Sequence, residues 1–208
     1  MPGTMPGMKR YGLPLLAAAL LFAGAVGPAA SQGVSEEQAA APQQQPAPDA
    51  AELLDRLFGQ LHATDNDRSA KTIEQAIWRI WSHSGSPTCD ALVGQADKAI
   101  EARELDIAIR MLDTAVELKP DFAEALNRRA TAYFLNRQFD RSLADIDKVL
   151  ALEPRHFGAL SGLGAIRREQ GDKREALKAY RRALAVNPFL ASAKAAVKEL
   201  QGEVEQDI

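Results

Sequence analysis

The sequence predicts an all-α fold: an α-solenoid of three helix pairs, with an N-terminal helical hairpin before it and a C-terminal capping helix after it. Three observations carry this expectation. Pro120, Pro154 and Pro188 recur every 34 residues, each just behind an apolar helical segment that proline ends by removing a donor and clashing backwards. Small residues stand in the same register, as Ala96, Ala130 and Gly164 and again as Ala108, Ser142 and Ala176. The composition is globular, with 46% hydrophobic, 25% charged and only 6% aromatic residues, which suits thin, closely packed helices.

Residues 1-30 read as an address outside the fold. Lys9 and Arg10 form a cationic head, Leu13 to Val26 is an apolar run, and Gly27-Pro28 breaks it before Ala29, Ala30 and Ser31. That pattern is a secretory signal peptide, too short for a comfortable membrane span. The expected location is periplasmic or secreted, in a bacterial cell envelope, with an uncleaved segment anchored to the inner membrane as the alternative. Membrane contact is expected only if the segment is not cleaved. Cleavage removes two cations and no anion, so the mature charge is 23 minus 28, or -5. Met5 and Met8 are alternative starts.

Residues 31-48 are rich in Gln, Ala and Pro and carry almost no large apolar side chain, the composition of a disordered linker. Residues 49-88 are expected to form the hairpin. Asp49 and Glu52 have capping-box spacing ahead of Leu54, Leu57, Phe58 and Leu61. Ile73, Ile77, Ile80 and Trp81 form the second apolar stripe, and Gly85 and Pro87 close it. Trp78 and Trp81 cannot both face one narrow stripe, so one is expected to pack on the repeats. The hairpin is expected to cap the first unit.

Residues 89-188 hold the three units, divided near 89-122, 123-156 and 157-190. Further columns are Leu92, Leu126 and Leu160; Leu112, Ile146 and Tyr180; Ala115, Val149 and Ala183; Val116, Leu150 and Leu184; and Leu118, Leu152 and Val186. The two helices of each unit join near Arg103, Arg137 and Gly171, and Leu143 is expected in the second unit's core. Residues 189-208 supply the cap and tail. Leu190, Ala193, Val197 and Leu200 form its apolar stripe, opposite Lys194, Lys198 and Gln201, and cover the last repeat's open face.

The order of leucine, small residue, alanine, aromatic, alanine and proline over 34 residues resembles the tetratricopeptide repeat (TPR). The second unit resembles it most, with Tyr133 and Phe139 at the family's two bulky turn-side positions. The resemblance implies a right-handed solenoid whose concave face is lined by the first helix of each unit. The partner-binding groove it implies comprises Asp90, Val93, Asp97 and Glu101, then Glu124, Asn127, Thr131 and Leu135, then Ser161, Ala165, Arg168 and Glu169. The family's clamp for chaperone C-terminal carboxylates would draw on positions that read Val93, Asp97, Arg128, Gly158 and Gly162 here. One arginine survives and the aspartate repels a carboxylate, so that clamp is not expected. A partner helix or extended peptide with basic and apolar character suits the acidic first third better.

No catalytic, metal or cofactor site is expected. His62, His83 and His156 form no i, i+4 ligand pair. Cys89 stands alone, which excludes an intrachain disulfide and a cysteine zinc cage. Ser82, Ser84 and Ser86 lack a strand-turn-helix setting, and Asp145 and Asp147, two apart on a helix, point in different directions. A net charge of -3 leaves no basic surplus for nucleic acid. The expected function is a non-enzymatic scaffold that docks protein or peptide partners on its concave surface. The alternative is a structural, self-associating part of an envelope assembly; a concentration-dependent oligomer would favour it.

Overall fold

The computed structural model describes residues 49–206, and the expected signal peptide and linker lie outside them. Nine α-helices follow one another in the described residues, with no strand. They are α1 (Ala50–Ala63), α2 (Asp67–Trp81), α3 (Pro87–Glu101), α4 (Leu105–Leu118), α5 (Ala123–Leu135), α6 (Phe139–Leu152), α7 (Phe157–Glu169), α8 (Lys173–Val186) and α9 (Ala191–Gln206). None of them is long and apolar enough to cross a membrane.

Local chemistry sets the helix boundaries. Asp49 caps α1 by accepting the Glu52 amide at 2.7 Å, and Asn66 and Asp172 act likewise for α2 and α8. Within each unit the first helix ends on a left-handed residue: Arg103 (φ 62°), Arg137 (φ 56°) and Gly171 (φ 79°). At each turn that residue's amide and the next return to carbonyls of the last helical turn, for example Arg103 to Ile100 and Glu104 to Ala99. This is the Schellman arrangement, repeated three times in register. Between units the chain leaves the helix at Lys119, Glu153 and Asn187, the residues before Pro120, Pro154 and Pro188, and is extended at the latter two.

The expected small and apolar columns form the core. Ala96, Ala108, Leu112, Ala115, Ala176 and Ala183 are completely buried. A side-chain carbon at Gly164 would come within 2.9 Å of the Tyr180 ring, so the helix pair of the third unit closes only over glycine there. Ser142 is buried without penalty because its hydroxyl donates to the Ala130 carbonyl at 2.7 Å. Two expectations need correction. Leu143 is only half-buried, at the edge of the second unit's core. Leu118 and Leu152 are exposed at their helix ends, whereas Val186 at the same register position is covered.

The cover over Val186 is the hairpin, and this is the principal departure from expectation. Leu54, Phe58, Leu61, Ile77 and Trp81 pack with Phe157, Val186, Phe189 and Leu190, which belong to the third unit and the turn before α9. The hairpin therefore does not cap the first unit. The first unit's own core, around Cys89, Val93, Ala108 and Leu112, includes no hairpin residue.

Candidate functional site

The hairpin is seated by aromatic stacking and by charge. The Trp81 ring lies flat on His156, with centroids 4.3 Å apart and planes 14° from parallel. Trp78 meets Phe157 edge-on at 5.2 Å, and the Arg128 guanidinium stands over the Trp78 ring at 5.8 Å. Both tryptophans thus reach the repeats, where one was expected. Arg155 covers the Phe58 ring at 4.6 Å and pairs with Asp55 at 2.6 Å. Gly158 makes the seat possible, because a side-chain carbon there would come within 2.7 Å of Trp78.

His156, completely buried, links this seat to the first helices. Its Nδ1 accepts the Ala159 amide at 3.1 Å and so caps α7. Its Nε2 faces Glu124 at 3.1 Å, and Asn127 donates to the same carboxylate oxygen. Arg128 Nε lies 2.7 Å from the other Glu124 oxygen without the alignment of a hydrogen bond, so charge holds that pair. Asp97 approaches Arg128 at 3.3 Å. Burial raises the pKa of Asp97, Arg128 opposes the rise, and Glu124 and Glu101 add to it.

His62 is the hairpin's second latch. Its two ring nitrogens face two carbonyl oxygens, Phe58 at 2.8 Å and Ala185 at 2.9 Å. A neutral imidazole has one N–H, so both bonds form only in the imidazolium. The Ala185 carbonyl, then the Phe58 carbonyl, accordingly raise its pKa above the ordinary 6.5. The sign follows from linkage: a raised folded-state pKa adds stability that is complete below the unfolded value and is lost as pH climbs through the folded one. The wild type should therefore melt above His62→Gln at about pH 5, and the gap should close by about pH 9. An equal gap at both pH values would dismiss the latch.

What remains open on the concave side is a slot of about 460 Å³ between α5, α7 and α9. Of the expected groove residues, Asn127, Thr131, Ser161, Ala165 and Arg168 line it. The others lie elsewhere. Asp90 accepts from the Ser84 hydroxyl and amide and holds the α2–α3 turn. Val93 is in the first unit's core, Glu124 is fully buried, and Asp97 is held against Arg128. Glu101 is exposed, Leu135 is half-buried, and neither lines the slot. Glu169 lies 3.7 Å from Arg137. The acidic third of the expected groove is thus neutralised internally or outside the slot.

Several slot residues escape the repeat reading. Ser192, Ala195 and Glu199 come from α9, expected only as a solvating cap, and Glu199 pairs with Arg168 at 3.1 Å. Phe134 and Tyr180 add aromatic surface, and Gly162 leaves the α7 backbone accessible. The signal for α9 was its row of small residues, Ser192, Ala195 and Ala196, which leaves room for a guest. A second cleft of about 560 Å³ runs between α2 and the start of α9, from Asp67 and Lys71 to Phe189 and Lys194. No group of three His, Cys, Asp or Glu side chains among the described residues could hold a metal ion.

Comparison with known proteins bears on the architecture. A family model described as "Tetratricopeptide repeat" matches residues 93–150 and 128–191. A TPR repeat-containing protein of Rhizobium etli is 45% identical over 135 residues, 65% of this chain and 66% of that protein. The chain belongs to the tetratricopeptide-repeat family. A more distant TPR relative, small glutamine-rich tetratricopeptide repeat-containing protein 2 of Saccharomyces cerevisiae, is 29% identical over 43% of this chain and 26% of its own length. The TPR fold is shared with the Sgt2 TPR domain of Aspergillus fumigatus (TM-score 0.56, 23% identity, 59% of this chain and 82% of that one). It is also shared with the first TPR of Spaghetti (RPAP3), solved with an HSP90 peptide (TM-score 0.55, 24% identity, 58% and 95%).

Proposed function

We propose that this TPR chain is a non-enzymatic docking scaffold of the cell envelope, taking a protein or peptide segment in the slot between α5, α7 and α9. The slot itself carries the proposal. Its walls combine hydrogen-bonding groups (Asn127, Thr131, Ser161, Ser192) with small residues (Gly162, Ala165, Ala195) and the Phe134 and Tyr180 rings. Such a surface is set before the guest arrives, which lowers the ordering cost of association. The lining favours a segment that offers apolar side chains to the small-residue floor and hydrogen-bonding groups to its rim. Arg168 and Glu199 neutralise each other, so neither sign of charge is preferred. The envelope assignment is supported by the cationic head and apolar run of the first thirty residues.

A photo-crosslinking side chain at Thr131 should capture a discrete partner in intact cells, and one at the exposed Leu152 should not. With that partner purified, Ala165→Trp fills the slot and should weaken binding by about tenfold or more, since a lost anchor is worth at least ~1.4 kcal/mol. Equal affinity for wild type and Ala165→Trp would move the binding surface elsewhere. Mass spectrometry of the mature N-terminus tests export, and an intact Lys9 and Arg10 in a cytoplasmic fraction would refute it.

A further inference from the structure

The three units share one scaffold, so each serves as a control for the others, and the outer helix of the third differs sharply in charge. Over fourteen residues each, α4 carries one cation and three anions (-2), α6 two cations and three anions (-1), and α8 five cations and one anion (+4). The exchange occurs at matched positions. Asp106 and Asp140 precede Arg174, and Asp113 and Asp147 precede Arg181, at steps of 34. The fold accepts aspartate at both places, so packing does not require the arginines.

Arg174, Lys178, Arg181 and Arg182 are all exposed and fall within an arc of about 100° on α8. They surround a shallow apolar floor made by Leu177 and Ala185. Arg174, Arg181 and Arg182 make no ion pair with any described residue, and Lys178 has only Glu175, at 3.5 Å. The chain as a whole carries -3, so everything outside α8 sums to -7. A cationic face of this density on an otherwise acidic body is a directional electrostatic feature.

We propose that the outer face of α8 docks on an anionic membrane surface. Four cations along one straight helix of ~21 Å meet a plane of headgroups together. The acidic remainder is repelled by the same plane, which fixes the orientation with the slot turned away from it. A peptide is disfavoured because this face has no slot to hold a chain, the slot being formed by α5, α7 and α9. Nucleic acid is disfavoured because the -7 remainder repels a polyanion that extends beyond one helix. The apolar run from Leu13 to Val26 brings the chain to a bilayer during export, which supplies the encounter.

The test uses the full chain with Ala185→Cys carrying an environment-sensitive fluorophore, the native Cys89 being buried. Vesicles of phosphatidylcholine alone are compared with vesicles containing phosphatidylglycerol. The apolar N-terminal run binds both, so only the probe on α8 reports the docking. A blue shift on the anionic vesicles alone is expected, with apparent affinity falling at least roughly 30-fold in Arg174→Asp/Arg181→Asp, since each cation near such a surface contributes roughly fivefold. That variant repeats what the first two units already carry, and an unchanged melting temperature confirms its fold. No shift, an equal shift on neutral vesicles, or a shift that survives the double substitution would overturn the proposal. A larger shift with poly-glutamate or a single-stranded oligonucleotide at equal charge would overturn it in favour of a macromolecular polyanion.

Discussion

Trp81→Ala should release the α1–α2 hairpin from the repeats at a loss of about 3–5 kcal/mol, the range for a large aromatic removed from a packed site. The ring touches Phe58 within the hairpin and His156 and Phe157 outside it, so its removal loosens both the hairpin and its seat. Its Nε1 is buried with no acceptor among the described residues, so the loss is one of packing rather than of a hydrogen bond. The first unit's core and the cluster between α8 and α9 contain no hairpin residue and should keep their helices. Unfolding followed by hydrogen exchange should therefore separate into an early step over α1 and α2 and a later one over α3 to α9. Gly158→Leu attacks the same seat from the other side, by taking the space of the Trp78 ring. A single transition in both variants, with α1 and α2 still protected, would show that the hairpin is not held by these contacts.

The repeat array was legible because its punctuation is local and recurs. Prolines fix where each second helix ends, and Arg103, Arg137 and Gly171 fall at the one place in each unit where the chain must turn left-handed. The hairpin's destination was not legible, because Trp78 and Trp81 meet His156 and Phe157 some seventy-five residues on, and no period connects them. One trace existed in the sequence: Gly158 stands in the column of Asp90 and Glu124, where the other units carry acids, and the missing side chain is the space Trp78 takes. The charge of the groove was misread for a related reason. Asp97 and Glu124 look like a surface for a cation when taken along their own helices, but Arg128 reaches both and Trp78 covers it. The column of Leu118, Leu152 and Val186 shows the limit of periodicity itself. Three equivalent positions have two environments because only the last lies under the hairpin.

Asp145→Ala should destabilise the second unit by about 3–5 kcal/mol, the range for removing one member of a buried ion pair. Asp145 is 4% exposed and Arg129 13%, and the guanidinium grips the carboxylate with two bonds of 2.7 and 2.8 Å. A third bond of 2.7 Å runs from Arg129 to Asp113, so one arginine on α5 ties α4 to α6. These partners raise the arginine pKa, Asp145 first among them, which keeps the cation charged throughout any accessible pH. Asp113 is 42% exposed and remains in the variant, so the loss should fall toward the lower end of the range. Asp145→Asn keeps one acceptor and should fall between wild type and alanine. Replacing both partners with Arg129→Met/Asp145→Leu should recover most of the loss, since the alanine variant is penalised chiefly by a largely buried cation left with only its exposed partner. Denaturant midpoints for the three variants decide the matter: if the double replacement is no better than alanine alone, the triad stabilises by direct attraction and the stranded-charge account fails.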